Sequence, residues 1–272
     1  MRVALVFYGF FRTFDFCKTS LQEHVLDIIN PDIYINSPDT IYAPPDDEIP
    51  ELHNMNSRSL EQTNSRINFF STDKLQACHL RQYKSAYYKQ YVAARRMITK
   101  TSVNQYSWRV LSAIHSISLA IQSFKTHSRK HHLEYDLVIL TRPDLRYYRY
   151  FDLSNIRLDC INYPSHHMCD PCHPTMDPIP FVQRNSIEPR IRHGAAKVFG
   201  TNHNFNDQII CGSPDNIIEL GKVFGMIPQY YKENILLNTE TYLGMQCLKN
   251  SIELHASDLA TYEIWRLNQA EY

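Results

Sequence analysis

Short apolar runs broken by turn-forming residues set the rhythm of this chain. Leu137-Val138-Ile139-Leu140 is four apolar residues in succession, bounded on both sides by charged and turn-forming residues. A run this short and continuous fits a strand buried on both faces of a parallel sheet. It meets Thr141-Arg142-Pro143-Asp144. Pro143 cannot donate to a ladder and biases Arg142 toward extended backbone, so the strand is expected to end there with Arg142 and Asp144 at its carboxyl tip. Arg2 to Phe7 reads as a first strand running into Tyr8-Gly9. Over 15–30, Leu21, Val25, Leu26 and Ile29 recur at helical spacing, and Asn30-Pro31 stops that helix. Over 32–37, Asp32, Tyr34 and Asn36 alternate with Ile33 and Ile35. The opening 37 residues thus predict a β-α-β unit with parallel strands and a right-handed crossover.

Further along, residues 38–66 are acidic and rich in proline and predict a long surface loop. The spacing of Leu75, Leu80, Tyr83, Tyr87 and Val92 predicts a helix over 73–100, with Arg81, Lys84, Lys89, Arg95, Arg96 and Lys100 on its solvated side. The strongest helical stripe is Val110, Leu111, Ile114, Ile117, Ile121 and Phe124, within 104–128, and its basic last turn suits the helix dipole. Residues 175–204 read as loop. Asn206-Asp207-Gln208 then leads into a short apolar strand closed by Gly212, and Pro214-Asp215 opens a helix reaching Phe224. A helix over 235–249, a short strand over 252–255 and a closing apolar segment from Tyr262 to Leu267 complete the reading. No repeat is visible and no linker separates two cores, so one domain over 1–272 is expected.

Composition narrows the choice of partners. Lys plus Arg and Asp plus Glu stand at 28 each, so no net field draws nucleic acid or an anionic membrane, and any phosphate site must be built locally. No stretch approaches the ~18 apolar residues of a membrane span. Seven cysteines, an odd number, with no evident secretory leader, lead to the expectation of reduced thiols and a cytoplasmic protein (host cytoplasm if viral). Cys169-Asp170-Pro171-Cys172 is flanked by His166, His167 and His173, a set that can hold zinc but lacks the usual second pair a dozen residues away.

The chemistry-bearing residues collect at strand ends. Gly9 lets backbone approach a ligand, and Arg12 can reach a phosphate or a base. Arg142 and Asp144 either pair with one another or meet an anionic ligand with its cation. Asp207, at the mouth of a strand, suits a hydroxyl-rich acceptor or a general base, or equally a turn cap.

Taken in order, G-x-x-R-T-F (Gly9, Arg12, Thr13, Phe14), YDLVILTRPDL (Tyr135 to Leu145), NDQIICGSPDNI (Asn206 to Ile217) and the late-helix Glu240 resemble nucleotide-sugar-dependent glycosyltransferases of the GT-A type. The nearest likeness is to poorly characterised viral and bacterial enzymes with an RPDL element. The resemblance covers most of the chain apart from 38–66 and 160–200. It implies a single GT-A-like α/β domain with a mostly parallel central sheet flanked by helices. It further implies a UDP- or GDP-linked sugar donor, a glycan or glycoprotein acceptor, and Mn²⁺ or Mg²⁺ on the donor diphosphate. Tyr8, Gly9, Arg12, Thr13, Arg142 and Asp144 would then bind the donor, Asp144 would hold the metal, and Asp207 or Glu240 would face the acceptor or the anomeric carbon. Arg142 stands where the first Asp of the D-x-D metal element would be, so it can instead neutralise phosphate itself. Two other readings stay open: a non-catalytic nucleotide- or sugar-binding module, and a zinc-stabilised interaction protein built on the Cys169/Cys172 loop.

Overall fold

A seven-stranded mixed sheet carries the molecule, and its centre is the two apolar runs that opened the sequence reading. The computed structural model describes residues 1–11, 13–38, 66–81, 107–164, 205, 207–233, 235 and 239–264. Strand β1 (Val3–Tyr8) is buried throughout and pairs in parallel with β2 (Asp32–Pro38) on one side and β4 (Leu137–Thr141) on the other. β3 (Leu75–Arg81) joins β2 in parallel, with a register shift between Ile33 and Tyr34. Beyond β4 lie β7 (Ile209–Gly212), antiparallel to it, then β6 (Ile161–Pro164) and β8 (Leu254–Ser257), parallel to each other. The order is β3-β2-β1-β4-β7-β6-β8, and a separate antiparallel pair joins β5 (Leu145–Tyr147) to β9 (Tyr262–Ile264).

Side chains alternate across the sheet and build two cores. Ala4, Val6 and Tyr8 of β1, with Val138 and Leu140 of β4, face helix α2 (Ser107–Lys130), whose Leu111, Ile114, Ile117, Ile121 and Phe124 are buried as the helical stripe required. Helices α3 (Pro214–Leu220), α4 (Val223–Lys232) and α5 (Thr239–Lys249) close that layer. Val3, Leu5 and Phe7, with Leu137 and Ile139, face helix α1 (Phe14–Leu21), the aromatic group Phe11, Phe14 and Phe70, and the small sheet. α1 runs on through a wider π turn (Gln22–Leu26) to Ile29. It stops at Asn30, whose φ of 50° is left-handed, just before Pro31. Ser213 caps α3, accepting from the Asn216 amide at 3.4 Å, with Pro214 in the first turn.

Three segments differ from the sequence reading. Leu75–Arg81 is a strand, not the start of a helix over 73–100; its backbone is claimed by β2, and residues 82–100 lie outside the described residues. Ile161–Pro164, to which the sequence pattern assigned no element, is an interior strand. The helix after Pro214 breaks at Gly221-Lys222 into two. Among the described residues, no helix is long and apolar enough to cross a membrane. The 39–65 loop and the Cys169/Cys172 loop lie outside the described residues.

Candidate functional site

The strand order reverses between β1 and β4. From β1 the chain moves outward to β2 and β3, while β4 opens the other half of the sheet. β1 and β4 are parallel, with Phe7 opposite Thr141, so their carboxyl ends lie side by side at one edge of the sheet. In open α/β sheets such a switch point is where ligands bind. Because β7 runs antiparallel to β4, with Ile209 opposite Thr141, the chain enters β7 at this same edge and brings Asp207 to it.

All of the expected residues but Arg12 have a described place. Gly9 follows β1 with φ of 88°, a conformation glycine adopts freely. Tyr8 is buried, and its hydroxyl donates to the backbone carbonyl of Asp207. Burial, then the charge of Asp207, holds that phenol well above its ordinary pKa. Tyr8 therefore acts as a strut that fixes the entry to β7. Thr13 is buried at 2% exposure; its carbonyl accepts from the Phe16 amide at 3.0 Å, so it lies beneath the surface a donor would meet. Arg12 lies outside the described residues.

Arg142 and Asp144 meet as a forked ion pair. Arg142 Nε donates to Asp144 Oδ1 at 2.8 Å and Nη2 to Oδ2 at 2.6 Å. The Asp144 side chain is 10% exposed and that of Arg142 29%. Burial works against the Arg142 cation, but the adjacent Asp144 charge outweighs it and lifts the guanidinium above its usual range. Behind the pair, the Thr141 hydroxyl and the Tyr147 phenol are hydrogen-bonded at 3.0 Å, tying the end of β4 to β5.

Asp207 and Glu240 complete the cluster. Glu240 lies in the first turn of α5, and both carboxylates are half-buried. Desolvation dominates the electrostatics of both. Burial raises the Asp207 pKa, opposed by Arg142; burial and then the charge of Asp207 push Glu240 up to about 8. Two neighbouring carboxyls of this kind tend to share a proton.

The arrangement does not fit a divalent cation held by Asp144. Both of its oxygens accept from Arg142, and binding a metal there would place it against a guanidinium. Among the described residues, no group of three or more His, Cys, Asp or Glu side chains is placed to hold a metal ion. The positions of Arg142, Asp144 and Asp207 were readable from strand ends. The Tyr8–Asp207 contact spans 199 positions and had no local signal. The Thr141–Tyr147 contact had a weak one, in that Tyr147 is the second inward residue after Asp144. No family model matches the chain, and no curated protein matches it significantly.

Proposed function

We propose that this protein is a GT-A-type glycosyltransferase that moves a sugar from a UDP- or GDP-linked donor to a glycan or glycoprotein acceptor. The observation that carries the reading is the gathering of Tyr8, Gly9, Arg142, Asp144 and Asp207 at the switch point between β1 and β4, with Glu240 close enough to feel the charge of Asp207. A donor nucleotide follows the Gly9 turn, where no side chain bars the backbone, and its sugar lies toward the two carboxyls. Arg142 favours charge on Asp207, while the charge of Asp207 weighs against ionising Glu240. The proton therefore rests on Glu240, which donates a hydrogen bond to a sugar hydroxyl, and Asp207 serves as base. The acceptor oxygen bonds to the anomeric carbon, the bond from that carbon to the diphosphate oxygen breaks with its electron pair, and the acceptor proton passes to Asp207.

Sugar transfer and donor hydrolysis across a panel of UDP- and GDP-sugars test this. Asp207→Asn is expected to lower turnover by about 10²–10⁴-fold while the donor still binds. Donor binding with neither transfer nor hydrolysis in the wild type would instead mark a non-catalytic nucleotide- or sugar-binding module.

A further inference from the structure

The element that should hold a metal in the GT-A reading is closed upon itself. Pro143 is buried and has no amide hydrogen, and with its ring between them Arg142 and Asp144 turn toward each other. The carboxylate is the more buried partner and the guanidinium the more exposed. Two parallel charge-assisted hydrogen bonds fix the guanidinium plane. They use the Nε edge and one Nη2 hydrogen, and the Nη1 edge has no partner among the described residues. That free edge is held by a rigid pair at the carboxyl end of β4, beside Tyr8 and Asp207. Guanidinium is suited to meeting phosphate oxygens two at a time. A cation coordinated by Asp144 would have to share its carboxylate with a positive charge already held on both oxygens.

We infer that Asp144 is a positioning residue which holds Arg142 for the donor's diphosphate, so that nucleotide binding at this site requires no divalent cation. The inference rests on the glycosyltransferase reading for the identity of the ligand, and on the ion pair alone for its independence of metal. Arg142 then does for the leaving diphosphate what a bound cation does in a D-x-D site: its N–H groups stabilise the negative charge left on the departing oxygen.

Calorimetric titration of the intact chain with UDP, GDP and inorganic pyrophosphate, in EDTA and again with Mn²⁺, decides it. The expected result is one nucleotide that binds equally under both conditions. Arg142→Lys should weaken that binding about tenfold or more, since the fork and the flat donor edge are lost. Asp144→Asn should weaken it by the same factor with and without Mn²⁺. Wild-type binding abolished by EDTA and restored by Mn²⁺ would overturn the inference, and this comparison needs no variant to fold. An Mn²⁺ response present in the wild type and absent in Asp144→Asn would identify Asp144 as a metal ligand. Pyrophosphate binding without nucleotide binding would keep the Arg142 anchor and remove the donor reading. Binding of none of the three ligands would remove both.

Discussion

A side chain at position 9 would have room but the wrong backbone. No heavy atom lies within 4 Å of a Cβ placed there, yet φ is 88°. Gly9→Ala should therefore cost about 1–2 kcal/mol from conformation alone, read by chemical denaturation. Glu240 makes a different prediction at this scale. Its folded pKa is raised to about 8, so between the ordinary carboxylate range and that value the folded state binds more protons than the unfolded chain. Stability contributed by this group is present at low pH and is lost as pH climbs toward 8. Glu240→Gln cannot ionise, so its melting temperature relative to the wild type should rise from pH 5 to pH 8. Each ~1 kcal/mol is worth roughly 2–4 °C in a domain of this size. An unchanged difference across that range would mean Glu240 is not held protonated. At residue scale, the placement of Arg142, Asp144 and Asp207 at strand ends was legible, because proline and short polar insertions mark the ends of buried strands. Their partners were not. Nothing local to Asp144 decides whether its oxygens meet a metal or the guanidinium two residues back, and nothing near Tyr8 points 199 positions ahead.

At the scale of elements, the break between α3 and α4 is set by packing. A Cβ on Gly221 would lie 2.6 Å from Cγ2 and 3.0 Å from Cβ of Ile121, so only glycine lets this turn sit on the long helix α2. Gly221→Ala should destabilise by about 1–3 kcal/mol, and pairing it with Ile121→Val should return part of that loss, a coupling that a double-mutant cycle measures. Such close approach is invisible in a pattern of apolar positions, which is why Pro214 to Phe224 read as one helix. β1, β2, β4, β7 and α2 were legible because burial on one or two faces imposes a period or an unbroken apolar run. β3 was misread because, among the described residues, it pairs with β2 alone: Leu75 and Leu80 fit a helical stripe as well as a strand, and long-range pairing decides between them. β6 is four residues ending in Pro164, too short for alternation to show. β5 and β9 owe their existence to each other across more than a hundred positions.

For the whole molecule, equal numbers of acidic and basic residues leave recognition to the local site and not to a long-range field. Nucleotide binding should appear as a gain in global stability, since a ligand that binds only the folded chain shifts the folding equilibrium by mass action. At about 100-fold excess over Kd the gain is about 2.7 kcal/mol, or roughly 5–10 °C in melting temperature. The expected nucleotide should raise the melting point by that much, and a nucleotide that leaves it unchanged at that excess does not bind the native site.

The direction of the strands separates the frame from its trimmings. β2, β3 and β6 all run parallel to β1 or β4, so Pro38, Arg81 and Pro164 finish at the edge that carries Tyr8, Arg142 and Asp207. β7 begins at that same edge, just after Asp207. The far edge is locked by Arg2, which binds Asp32 at 2.8 Å, while Tyr135 donates to the same carboxylate at 2.9 Å. Such a layout divides inheritance in two. Replacing residues at the carboxyl ends of the strands would change what the edge carrying Arg142 presents while the sheet and its two cores pass on unaltered, so new selectivity can be grafted onto this frame without refounding the fold.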